Sequence, residues 1–174
     1  KYGGTVIQYF GDGTLSIYPS ATAAVEFAEA LQQELRASQP PVPMRVGIHT
    51  GDITYSKEDA YGDGVNVAAR IESMCIPGGV FISGKVYDDI KNHSSIKARH
   101  LGAFRLKNII DDTDIYALSN AGLMTPDYIQ REKSKPKTKQ SRRERKRRRK
   151  RSTSKGGKNK RTAAVLGLLL GVTG

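Results

Sequence analysis

Two β-rich runs open the chain. Val6-Ile7-Gln8-Tyr9-Phe10 and Leu15-Ser16-Ile17-Tyr18 flank the turn Gly11-Asp12-Gly13, the pattern of a hairpin with a glycine-flanked loop. From Ser20 the period changes. Ala24, Phe27, Ala28, Leu31 and Leu35 fall on one stripe, which predicts an amphipathic helix with Ser20 as N-cap, ended by "QPPVP". "MRVGIHTGDITYS" reads as a strand with a glycine turn, and "YGDGVNVAARIESM" as a loop running into a second helix. "GGVFIS" is a short buried strand, "GKVYDDIK" a short helix, and "ARHLGAFRLKN" with "TDIYALS" a closing pair of strands. Helices interleaved with strands, some of them joined by hairpins, predict an α+β fold over residues 1–119, a mixed sheet with helices packed on it.

The pattern then lapses. Residues 120–162 are polar and nearly free of large apolar side chains after Ile129, so they are expected to be a disordered linker. Residues 163–174 are mostly apolar but fewer than the roughly 20 that span a bilayer. They could be a core helix or a peptide tail, but placed after a dense basic run they are expected to begin an apolar, membrane-crossing helix, with the arginines and lysines holding residues 1–162 on the cytoplasmic side of an inner membrane. The chain starts without Met and stops inside an apolar run, which reads as a piece of a longer protein.

Charge sharpens that division. The formal net charge is +12, yet residues 131–161 hold 18 Lys/Arg against two acids, a net of +16, which leaves −4 for the rest. "RRERKRRRKR" could contact nucleic acid or an anionic lipid surface. No aromatic side chains interleave it for base stacking, so the membrane surface is the expected partner and nucleic acid is not. The single cysteine, Cys75, excludes an internal disulfide and reads as a packing residue. His49 reads as structural, and His93 and His100 have no metal-ligand spacing with it.

Two places carry candidate chemistry. Asp12 is either a simple turn former or a hard-cation ligand, set between glycines that let a charged ligand approach the backbone. Asn66 and Arg70 are four residues apart, hence on one helical face. On spacing alone they are either an Asn near a helix N-terminus and an ordinary surface Arg, or an amide and a guanidinium that suit a phosphate or a developing negative charge.

"GDG" after an apolar strand, "VGIHTGD", "YGDGVNVAAR", "PGGVFIS" and "LKN" occur in this order. Together they resemble the class III nucleotidyl cyclase catalytic domain, the adenylate/guanylate cyclase family, over residues 1–119. The resemblance implies a ferredoxin-like, cyclase-type mixed sheet. It also implies conversion of ATP to cyclic AMP and pyrophosphate, or of GTP to cyclic GMP, by two Mg²⁺ or Mn²⁺ ions at the interface of a head-to-tail homodimer. Asp12 matches the second metal-binding aspartate. The first sits in the family on a strand well before the hairpin, where this chain has no residues. Asn66 matches the residue that orients the ribose, and Arg70 the one that stabilises phosphoryl charge in the transition state. Asp59 matches a reader of the base edge, and Lys107 a lysine that reaches the terminal phosphates.

One position departs from the family. Gln8 stands where adenylate cyclases usually carry Lys, and the Glu and Cys usual in guanylate cyclases are also missing. An amide at Gln8 can donate to adenine N1 while Asp59 accepts from the 6-amino group, so ATP is the expected substrate and GTP the less favoured one. The competing expectation is a degenerate cyclase-like module that binds nucleotide or only dimerises.

Overall fold

The computed structural model describes residues 1–11, 13–55, 60–109, 111–126 and 162–169. Of these, the side chains of residues 10, 55, 60, 61 and 162–169 are excepted. Asp12, Asp59 and the whole basic tract, residues 131–161, lie outside the described residues.

The hairpin forms as its alternation predicts. Strands β1 (Thr5–Phe10) and β2 (Gly13–Tyr18) pair antiparallel, with an irregularity between Val6 and Gln8. Helix α1 (Ala21–Ala37) begins at Ser20, whose hydroxyl accepts from Ala23 N. Then follow β3 (Met44–Gly51), the two-residue strands β4 (Thr54–Tyr55) and β5 (Ala60–Tyr61), and α2 (Asp63–Met74). After them come β6 (Val80–Ser83), α3 (Gly84–Ile90), β7 (Ala98–Phe104), β8 (Thr113–Leu118) and β9 (Thr162–Leu169). The main sheet has the order β1-β2-β9-β3-β6-β8-β7, with β3 and β6 parallel and the other neighbours antiparallel. The expected α+β architecture with a mixed sheet is therefore present.

Alternation along β3 divides the layers. Val46 and Ile48 belong to the main core with Ala24, Val25 and Ala28 of α1 and Val86 and Ile90 of α3. Gly47, on the other face, lies against the backbone of α2 at Ala68 and Glu72. Phe81, Leu15, Ile48 and Ile71 are fully buried, each contributing about 1.5–3 kcal/mol by removal from water.

Two expectations are corrected. The buried stripe of α1 is Ala21, Ala24, Val25, Ala28 and Gln32, while Phe27, Leu31 and Leu35 are only half-buried. Gln32 turns inward because its amide finds two carbonyls, Met44 O and Gly79 O, each at 2.9 Å. The second correction concerns the apolar segment after the basic tract. Residues 162–169 form strand β9 and not the start of a helix, and their backbone pairs antiparallel with β2 on one side and β3 on the other. The physical reason is the position of β2 and β3: each turns a row of backbone donors and acceptors toward the same gap, and an extended segment satisfies both rows. Among the described residues no helix is long and apolar enough to cross a membrane.

Candidate functional site

Hairpin and helix α2 are brought together by a small cluster. Leu15 of β2 and Ala68 of α2 are fully buried against each other, with Ile7, Ile53 and Val65 packed around them. Gln8 pairs with Leu15 across the hairpin, so the two project from the same face. Gln8 Oε1 is shielded from solvent and has no hydrogen-bond partner among the described residues, an acceptor left open beside α2. At the hairpin tip Gly11 has φ +60°, and among the described residues nothing lies within 4 Å of where its Cβ would be. The backbone there is open to a ligand.

Helix α2 begins as tightly as its glycines allow. Gly62 has φ +140°, and a Cβ on it would come within 2.9 Å of Asp52 O. No side chain caps this end, although Asp63 supplies an acidic residue in the first turn. The helix buries Gly64, Val67, Ala68, Ile71 and Glu72. Asn66 and Arg70 lie on the opposite, exposed stripe, as their spacing predicts.

The remaining candidates are placed differently. Lys107 is exposed in the connection between β7 and β8, next to Asn108, which takes the left-handed φ of +65°. Arg105, Leu106, Lys107, Asn108 and Ile109 line a hollow of about 490 Å³. β7 and β1 are the two edges of the sheet, so within one chain Lys107 lies at the edge away from Gln8. Asp12 and Asp59 lie outside the described residues. Among the described residues no group of three or more His, Cys, Asp or Glu side chains could hold a metal.

His49 is 5% exposed, with Nδ1 2.9 Å from Ser83 Oγ. Burial first, then the charge of Lys85, pushes its pKa down to about 4, so the ring is neutral near pH 7. Cys75 is buried, and burial pushes its thiol up to about 12. The ion pair Arg45–Glu72, which joins β3 to α2, was missed from sequence. Nε and Oε1 are 2.8 Å apart, although the Nε–H direction departs from that line, so the contact is a charge pair and not a linear hydrogen bond. A signal existed: Glu72 lies four residues after Ala68 and seven after Val65, on the apolar stripe of its helix.

Comparison with known proteins agrees with this arrangement. The family model described as Adenylate and Guanylate cyclase catalytic domain matches residues 5–120. A Rhizobium meliloti (strain 1021) protein provisionally named adenylate cyclase 3 is 40% identical over 122 residues, 67% of this chain and 21% of the relative. Adenylate cyclase 1 of the same organism is 33% identical over 138 residues, 65% of this chain and 20% of the relative. The chain thus spans about a fifth of the length of these two relatives. The crystal structure of an adenylate/guanylate cyclase/hydrolase from Silicibacter pomeroyi superposes with a TM-score of 0.62 at 30% identity, covering 72% of this chain and 75% of that one. With the hairpin, α2 and every strand of the mixed sheet except β9 inside the matched span, this chain belongs to the adenylate and guanylate cyclase catalytic domain family.

Proposed function

We propose that this chain is the catalytic part of a cyclase that converts ATP to 3′,5′-cyclic AMP and pyrophosphate, at a site completed by a second copy. The observation that carries the reading is the exposed Asn66–Arg70 stripe of α2, set beside the hairpin in a chain of this family. Asn66 would orient the ribose. Arg70 would meet the charge that grows on the phosphoryl oxygens as the bond to pyrophosphate breaks. Gln8, with its unpartnered Oε1, and Asp59 would read the base. Lys107, at the other edge of the sheet, would neutralise the terminal phosphates.

Catalytic domains of this family use divalent metals. Asp12 is the carboxylate that would hold Mg²⁺ or Mn²⁺, and the open space around Gly11 leaves room for the ion and the phosphates it accompanies. Bound there, the ions would polarise the 3′-hydroxyl and neutralise charge on the phosphates.

The test uses the full-length protein. Asn66→Ala and Arg70→Ala should each lower kcat by about 10²- to 10³-fold while ATP binding weakens much less. Mixing an Asp12→Ala chain with an Arg70→Ala chain should restore partial activity, because one of the two shared sites would be intact. Cyclic nucleotide production is measured throughout. Nucleotide binding without product in the parent would replace this reading with that of a regulatory module, and no recovery on mixing would exclude the shared site.

A further inference from the structure

The residues that face substrate lie on one side of α2, and what fixes the roll of that helix lies on the other. Glu72 is 4% exposed and pairs with Arg45 of β3 at 2.8 Å. Gly47, two residues along β3 on the same face as Arg45, is where helix and strand touch. A Cβ there would fall on Glu72 N and come within 2.7 Å of Ala68 O. The helix backbone therefore rests directly on the strand, with the charge pair beside the point of contact.

An apolar contact at this place would tolerate some rolling of the helix. A carboxylate whose side chain is 6% exposed does not, since rolling would draw a buried charge away from the guanidinium 2.8 Å from it. We infer that the Arg45–Glu72 pair and the bare Cα of Gly47 are positioning elements that aim Asn66 and Arg70 into the site. The catalytic part of this inference rests on the cyclase reading above. The envelope of a helix with its side chains has a radius of about 5–6 Å, so a roll of about 20° shifts a side-chain tip by about 2 Å. Misplacement of about 1 Å can cost about 10²-fold in rate.

The experiment compares Glu72→Gln and the double variant Arg45→Met/Glu72→Met with wild type in the full-length protein. Glu72→Gln should lower kcat by about 10- to 100-fold with KM within about 3-fold. The double variant carries no stranded charge and should fold with near wild-type stability, yet its kcat should stay low. Recovery of kcat together with stability in the double variant would overturn the inference, since the pair would then be merely structural.

A second measurement needs no activity. Spin labels at Ala69→Cys on α2 and Lys97→Cys, in a protein whose native cysteines outside this chain are replaced by Ser, report the seat of the helix, and the buried Cys75 escapes labelling. The distance distribution should shift or broaden by about 2 Å in the double variant. An unchanged distribution would overturn the inference. A changed distribution in a protein that makes no cyclic nucleotide would support the seating of α2 and overturn the cyclase reading instead.

Discussion

At the scale of single residues, Gln8 has, in the proposed function, the task of telling one base from another. Its Oε1 is shielded and unpartnered, and an amide can turn to offer either a donor or an acceptor. With Asp59 it can pair N1 and the 6-amino group of adenine, but it also meets guanine without leaving a polar group stranded. A site of that kind discriminates weakly. ATP should be preferred by a modest factor, and Gln8→Lys should widen the preference. The check is kcat/KM for both nucleotides in parent and variant. Rejection of GTP by about 10⁴-fold in the parent would rule out a permissive Gln8.

His49 carries a pH dependence. Its pKa in the folded chain, about 4, lies below the ordinary 6.5, so between these values the unfolded chain binds the proton and the folded chain does not. Its contribution to stability is whole above pH 6.5 and is lost as pH falls toward 4, by up to about 3 kcal/mol. Denaturant unfolding at pH 7 and pH 5 measures the loss, and His49→Gln should flatten it. An equal loss in the variant would assign the acid sensitivity to other groups. Helical spacing puts Asn66 and Arg70 on one face, but it is the order of the family motifs along the chain that sets them apart from an ordinary helix-start Asn and a surface Arg. Glu72 and Gln32 could not, because burial of a polar side chain depends on partners far away in the chain, Arg45 for one and the carbonyls of Met44 and Gly79 for the other.

At the scale of elements, α1 shows the limits of a stripe drawn from apolar residues. The observed face is turned toward Val25 and Gln32, and it leaves Glu29 half-buried with Oε1 shielded and unpartnered among the described residues. Burial first, and then the charge of Glu26, holds the Glu29 carboxyl above its ordinary range. The folded chain therefore keeps this proton to higher pH than the unfolded chain does, and stability is lost as pH rises through that window. Glu29→Gln should raise Tm at pH 7 and leave it nearly unchanged below pH 4. Equal shifts at both pH values would show that ionisation of Glu29 is not the cause. β1, β2 and α2 were legible because their periods are local. The two-residue strands β4 and β5 are too short to leave a period at all.

At the scale of the whole molecule, β9 is the element that sequence placed wrongly. Apolar residues after a basic run predict a membrane helix, whereas pairing with β2 and β3 depends on strands more than 100 residues earlier in the chain. Deleting residues 162–169 should leave two rows of backbone groups unpaired in the middle of the sheet. The expected result is a lower denaturant midpoint and faster hydrogen exchange at the amides of β2 and β3 that face the gap. Unchanged exchange there would mean that the sheet does not depend on β9.

The position of β9 also sets an order of events during synthesis. The hairpin leaves the ribosome roughly 140 residues ahead of its neighbour in the sheet. At about 5–20 residues per second that is a wait of roughly 7–30 s. Through this interval β2 presents an open edge to every other unfinished chain. The tract with 18 Lys/Arg is translated immediately before β9, so it adds a strong like charge to each growing chain only in the closing part of that wait.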